Sequence, residues 1–299
     1  MSVQSVREFI SRHLAASTGL AALGAALDAR ASGVPLDPAI AARIDDLLTA
    51  LGAGNALDEV NAADALPLLA ELRVTLGSDA KLLYPQTRSI GWTHPEPELL
   101  QAAGDTSAGF AHGLTHVVAP ALDGLAERLG KPGAAFLDIG VGVAGLAIAL
   151  ARLWPELRVV GIDTWQPSLV RARTNVERAG LRTRIELREQ RAESLEDDAA
   201  FDLAWVPLPF MSEQVIPATL QRARRAVRPG GWALIGLTNP GPDPAMAAVV
   251  RLRTTMWGGP LLSTGNAEHL LRDAGFTEVV SLPTPPGSIV ALVAGRRPA

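Results

Sequence analysis

Residues 134–163, AAFLDIGVGVAGLAIALARLWPELRVVGID, decide the fold of the chain. Ala134 to Ile139 is a short apolar run that fits a strand buried on both faces. Gly140, Gly142 and Gly145 interrupt it, and Leu146 to Leu153 then carries apolar residues at helical spacing up to Pro155. Arg158 to Ile162 reads as a second buried strand that ends on Asp163. The spacing predicts a strand, a glycine turn, a helix and a parallel strand. Backbone comes close to a ligand at the turn, and an acid stands at the second strand tip to hold a ribose.

Composition bounds what such a unit can serve. The 299 residues are 48% apolar and 19% charged, which predicts a globular chain with room for one large domain or for a medium domain and an accessory one. The formal charge of -4 and dispersed arginines leave no basic tract, so nucleic acid is not an expected partner. Cysteine is absent, which excludes disulfides, thiolate nucleophiles and zinc-cysteine sites. Arg7, Glu8 and Arg12 fall where a signal peptide needs an unbroken apolar core, and no run approaches the roughly 18 residues of a membrane span. The expectations are a cytoplasmic location and no membrane association.

Residues 1–80 are rich in Ala and Leu and show helical periodicity over Val6 to Leu14, Gly19 to Ala29, Ala39 to Leu51 and Ala63 to Leu76, with a break expected at Ser17-Thr18. An all-helical module of this kind serves as a lid or as the surface of a homodimer. Residues 81–104 read as a connector, because Tyr84-Pro85, Trp92, His94-Pro95 and Pro97 interrupt any long helix. Asp105-Thr106 opens a predicted helix that runs to Leu129, broken near Pro120. From there to residue 299 strands and helices alternate. The last two strands, Thr277 to Leu282 and Ser288 to Ala294, are joined by only Pro283 to Gly287 and must be antiparallel.

Gly140-Val-Gly142-Val-Ala-Gly145 also matches a dinucleotide-binding turn, so an NAD(P)-dependent oxidoreductase stands as an alternative. Asp138 counts against it: a carboxylate two residues before the first glycine repels a pyrophosphate and welcomes an ammonium. The stretches LDIGVGVAG at 137–145, GID at 161–163, FDLAWVPLP at 201–209, RPGGWALIG at 228–236 and DAGFTEVV at 273–280 together resemble the class I S-adenosylmethionine-dependent methyltransferases over residues 105–299. The resemblance implies an α/β, Rossmann-like sheet of seven strands in the order 3-2-1-4-5-7-6, its last strand antiparallel, preceded by the helical domain. It implies S-adenosylmethionine at the carboxyl ends of the first strands. A non-catalytic protein that keeps this fold is a further alternative, although the glycine loop and ribose acid are intact.

Within that resemblance Asp138, Gly140, Gly142 and Gly145 face the amino acid end of the cofactor, and Asp163 with Thr164 grips the ribose. Trp165 is placed to lie against adenine. Where the family has an acid before a small residue, this chain has Gln190-Arg191-Ala192, so adenine recognition falls to that turn in another form, through Gln190, a backbone carbonyl or Glu193. Pro207 closes the site after the fourth strand. The following Leu208 to Met211 is apolar and lacks the Asn-Pro-Pro-Tyr of amino-methylating enzymes. Phe210 and Met211 with Tyr84, Trp92, Phe110, Met256 and Trp257 could furnish an aromatic, desolvated pocket for a small acceptor.

Methyl transfer depends on alignment and dehydration, and an oxygen acceptor additionally needs a base. His112 and His116 are the candidates on the segment before the first strand, with Asp105 and Glu213 behind them. The two histidines are four apart and share a helix face, but no third ligand accompanies them, so no metal is expected.

Overall fold

The computed structural model describes residues 3–84, 90–285 and 288–299. Pro85, and Pro286 with Gly287 in the expected joint, lie outside the described residues. The chain divides into two compact units, Met1–Thr87 with Gln101–Thr106, and Arg88–Leu100 with Ser107–Ala299.

The first unit is helical: Val3–Ser32 (α1), Pro38–Ala50 (α2) and Ala62–Ala80 (α3). Asp37 accepts from the amides of Ala39 and Ile40, and Pro38 sits in the first turn of α2, where its missing N–H costs nothing. Asn61 caps α3 in the same way. The expected break at Ser17-Thr18 does not occur, and α1 is continuous. Two hydroxyl residues together cost a helix about 1 kcal/mol, which a few packed side chains offset. Gly19 serves packing instead: it is buried, and a Cβ there would overlap the Leu51 side chain. Leu27, Ala65 and Leu69 form the buried centre of this unit.

Pro97–Gly113 (α4) is shared between the units, and it is followed by a π-helical turn at Leu114–Val118 and the short helices Ala119–Ala121 (α5) and Leu125–Leu129 (α6) of the second unit. The helix expected from Asp105 therefore begins eight residues earlier, because Pro97 occupies its first turn rather than interrupting it. The sheet elements follow: Ala135–Ile139 (β1), Gly145–Leu153 (α7), Arg158–Asp163 (β2), Gln166–Arg178 (α8), Ile185–Glu189 (β3), Phe201–Pro207 (β4), Ile216–Ala226 (α9), Val227–Thr238 (β5), Pro244–Trp257 (α10), Thr264–Asp273 (α11), Thr277–Ser281 (β6) and Val290–Arg296 (β7). The sheet has seven strands in the order β3-β2-β1-β4-β5-β7-β6, and β7 runs antiparallel to both of its neighbours. The expected fold is present, including the reversed strand.

Both faces of the central strands are covered, which is why β1 reads as a continuous apolar run. On one face Phe136, Val159, Leu203 and Leu234 pack with Leu114, Leu146, Leu150 and Leu169. On the other, Leu137, Ile139, Ala204 and Ile235 pack with Leu220, Ala223 and Leu271. Burying each of the Leu, Ile, Val and Phe side chains contributes about 1.5–3 kcal/mol. At the foot of the sheet the buried Asp202 carboxylate accepts from the Ala135 amide at 2.9 Å and from Arg228 at 2.5 Å, which ties β1, β4 and β5 together where they start. Their carboxyl ends are thereby held in register for the site described next.

Candidate active site

At the end of β1 the chain makes its turn through Gly140 (φ 71°) and Gly142 (φ 55°). These left-handed conformations cost an L-residue roughly 1–2 kcal/mol, and glycine adopts them freely. The third left-handed residue is Ala144 (φ 67°), not Gly145, which begins α7 with ordinary helical backbone. The amides of Gly140 and Val141 donate to the Ile162 carbonyl at 2.8 and 3.0 Å, and Asn175 Nδ2 of α8 donates to the Val143 carbonyl at 3.0 Å. The loop is thus fastened to β2 and α8 before any ligand arrives.

Asp163 stands across from it at the tip of β2. Its Oδ2 accepts from the Gly142 amide and its Oδ1 from the Trp165 amide, both at 2.9 Å. A carboxylate has about four acceptor sites, so these bonds leave capacity for an outside donor. Burial raises the affinity of this carboxyl for a proton, and the amides of Trp165, Gly142 and Thr164 oppose that by stabilising the charge.

Asp138 lies on the neighbouring strand, in register with Gly161 of β2 and Trp205 of β4. It is 2% exposed, and its Oδ2 has no hydrogen-bond partner among the described residues. Burial first and the nearby Asp163 second push its pKa up to about 8. A buried carboxyl oxygen left without a donor is costly. A cationic donor arriving at this point, an ammonium above all, satisfies both the lone pair and the charge.

The other expected cofactor contacts fall around this pair. Thr164 and Trp165 follow Asp163 into the start of α8, and the Gln190 amide donates to the Asp163 carbonyl at 3.0 Å. Arg191 is exposed and paired with Glu193 at 2.6 Å, while Ala192 is buried beneath them. Pro207 is buried at the end of β4, and its Cγ lies 3.5 Å from where a Cβ on Gly140 would be.

Of the residues expected to line the acceptor pocket, the structure brings together Trp92, Phe210 and Trp257. Trp92 meets Phe210 edge to face at 5.3 Å and Trp257 at 6.0 Å, and Phe210 lies 5.1 Å from Trp257. Two backbone features fix the cluster. The Gly91 amide donates to the Met256 carbonyl at 2.8 Å, and a Cβ on Gly259 would overlap the backbone of Pro209. Phe110 packs instead on Trp205 at 4.9 Å, and Met211 packs against the core between the sheet and α9. Tyr84 is exposed and belongs to the first unit.

His112 and His116 are exposed and lie against each other at 4.4 Å, and neither joins the aromatic cluster. The imidazole that does join it is His94, buried and edge-on to Trp92 at 4.3 Å. Periodicity did not point to His94, because it lies in an irregular segment where no pattern separates buried from exposed positions. Trp205 was hidden for another reason: it reads as one more residue of an apolar strand. No group of three potential metal ligands occurs among the described residues. Clefts of about 350 and 410 Å³ lie elsewhere, one between α1 and α3 and one at the foot of the sheet beside Arg128 and Arg228.

Comparison with known proteins accords with this geometry. Residues 136–231 match the family described as a methyltransferase domain. A malonyl-[acyl-carrier protein] O-methyltransferase of Xylella fastidiosa (strain M23) is 29% identical over 137 residues, 46% of this chain and 44% of that protein. The chain thus spans less than half the length of that relative. An O-methyltransferase family protein from Burkholderia thailandensis superposes with a TM-score of 0.67 at 18% identity, covering 100% of this chain and 99% of that one. Human N-acetylserotonin methyltransferase, solved in complex with SAM, superposes with a TM-score of 0.61 at 15% identity and covers 100% and 99%.

Proposed function

From a chain that carries a methyltransferase domain on a class I sheet, we propose an enzyme that methylates a small aromatic or apolar acceptor, at oxygen, with S-adenosylmethionine as the donor. One observation carries the reading: the orphaned, buried Oδ2 of Asp138 beside a glycine loop whose Gly142 amide is held by Asp163. The residues fit the cofactor. Asp138 would receive its ammonium, Gly140 and Gly142 let the chain approach its amino acid end, and the free lone pairs of Asp163 would accept from the ribose hydroxyls. When bound, S-adenosylmethionine supplies an electrophilic methyl group on a sulfonium. The protein's own contribution is alignment and the exclusion of water, for which the Trp92, Phe210 and Trp257 rings are suited.

A small molecule in a cytoplasmic setting, without nucleic acid, is part of this reading. No helix among the described residues is long and apolar enough to cross a membrane. Val6, Phe9, Ile10 and Leu14 project from α1 at helical spacing and are exposed, which supports a homodimer built on the first unit. The functional test is calorimetry with S-adenosylhomocysteine and NADH. Binding of the first with none of the second supports the proposal, and the reverse overturns it.

A further inference from the structure

The turn after β3 belongs to the cofactor seat, and the contacts of Asp138, Gly142 and Asp163 leave its chemistry unused. Backbone fixes its place. Asp163 pairs with Glu189 at the ends of β2 and β3, and the next amide, that of Gln190, donates to the Asp163 carbonyl at 3.0 Å. With Asp138 on β1 to one side of Asp163 and β3 to the other, a nucleoside held through its ribose at Asp163 and its amino acid end at Asp138 extends its base over residues 190–193. The polar groups of this turn are largely engaged with one another. The Arg191 carbonyl accepts from the Ser194 amide and hydroxyl, the Ala192 carbonyl from the Leu195 amide, and the Ser194 carbonyl from the Gln190 side chain. Glu193 Oε1 accepts from Arg191 Nε at 2.6 Å and Nη2 at 2.5 Å. What the turn presents outward is the Arg191 guanidinium, whose side chain is 68% exposed against 26% for Glu193. A guanidinium has five N–H donors and accepts nothing, so donors remain after the bonds to Glu193.

We infer that Arg191 is the residue that reads the purine of the cofactor, and that it admits a 6-oxopurine nucleoside at least as well as adenine. The inference rests on the methyltransferase reading given above. A 6-aminopurine shows an N–H donor beside its N7 acceptor, whereas a 6-oxopurine shows two acceptors, O6 and N7, which a guanidinium fork meets with two parallel bonds. A carboxylate in this place would accept from the 6-amino group and repel O6. The guanidinium reverses both preferences: it donates to N7 of either base and gains a second bond only with the oxo form. Glu193 acts as a positioning residue that holds the fork. The purine takes no part in methyl transfer, so the change of base alters recognition alone.

The experiment titrates S-adenosylhomocysteine and its 6-oxo counterpart S-inosylhomocysteine into the full chain and into its Arg191→Ala and Arg191→Asp variants by calorimetry. The wild type is expected to bind the inosyl ligand within about threefold of the adenosyl one, or up to about tenfold tighter. Arg191→Ala should weaken both ligands by about threefold or more. Arg191→Asp should favour the adenosyl ligand by about ten- to a hundredfold, a gain of discrimination that poor folding does not produce. A wild type that prefers S-adenosylhomocysteine by more than about threefold overturns the inference. So does an Arg191→Ala protein with unchanged affinity for both ligands, which is the behaviour of a solvated surface ion pair. An Arg191→Asp protein that binds both ligands equally overturns it as well. A wild type that binds neither ligand would instead overturn the reading on which the inference rests. The comparison of two ligands on the wild-type chain needs no variant, so the test holds even where a variant folds poorly.

Discussion

The Gly142 amide donates to Asp163 Oδ2 at 2.9 Å, which joins the turn after β1 to the tip of β2. Two stretches some twenty residues apart are thereby set at a fixed distance around the place where a ribose is expected. Asp138, on the adjoining strand, completes the arrangement with a carboxyl whose Oδ2 has no hydrogen-bond partner among the described residues.

Asp138 gives the site a pH signature. Its pKa is raised from 3.8 to about 8, so the folded protein keeps a proton that the unfolded chain gives up. Its effect on stability is therefore absent at low pH and grows as a penalty while pH rises from about 4 to about 8. Asp138→Asn should flatten that slope and raise the thermal midpoint of the ligand-free protein at pH 8 but not at pH 4. An unchanged pH profile in the variant would contradict the assignment.

The same carboxyl should lose its proton when an ammonium docks. Below about pH 8, binding of S-adenosylhomocysteine should release close to one proton, and affinity should rise by up to about tenfold per pH unit. Well above that value the ligand's own ammonium deprotonates and affinity falls again. Calorimetry in buffers of different ionisation enthalpy counts the proton directly. Asp138→Asn should release none.

Ala144 and Ala147 are both fully buried alanines, yet they sit in different backbone conformations. Ala147→Gly loses a methyl inside α7 and pays the helical cost of glycine, together roughly 1.5–2 kcal/mol. Ala144→Gly loses a methyl too, but it relieves a left-handed alanine worth about 1–2 kcal/mol. Urea unfolding should show a clear loss for the first and a change within about 1 kcal/mol for the second. Equal losses would mean that the φ of 67° at Ala144 carries no strain.

Most of the sheet was legible from residues 134–163 and the alternation that follows, because strands covered on both faces must be apolar throughout. Asp138 and Asp163 were legible as well, since an acid at the end of a buried strand stands out. What sequence could not supply came from context. Pro97 signals an end when read as a breaker and a beginning when read as a first-turn residue, and the local sequence does not say which. Gly145 is the third glycine of the G-x-G-x-x-G pattern, but the third left-handed residue of the turn is Ala144, which no glycine pattern indicates. His94 reads in sequence only as part of a helix-interrupting His-Pro pair, because its contact with Trp92 follows no spacing rule.

Gly259 packs the segment after α10 directly on the backbone of Pro209, beside the aromatic cluster. A methyl group there would overlap the backbone of Pro209, and overpacking of this kind costs about 1–3 kcal/mol. Gly259→Ala should lower the urea midpoint and disturb the fluorescence of Trp92 and Trp257. The affinity for S-adenosylhomocysteine should be unchanged. A large loss of that affinity would place the cluster against the cofactor seat.

The central claim is that Asp163, held by Gly142, grips the ribose of S-adenosylmethionine. Calorimetric titration of S-adenosylhomocysteine into the wild type and Asp163→Ala, with circular dichroism to verify folding, tests it most directly. The predicted result is tight binding to the wild type and a loss of about ten- to a hundredfold in the folded variant, equivalent to roughly 1.5–3 kcal/mol. Equal affinity in the two proteins would contradict it.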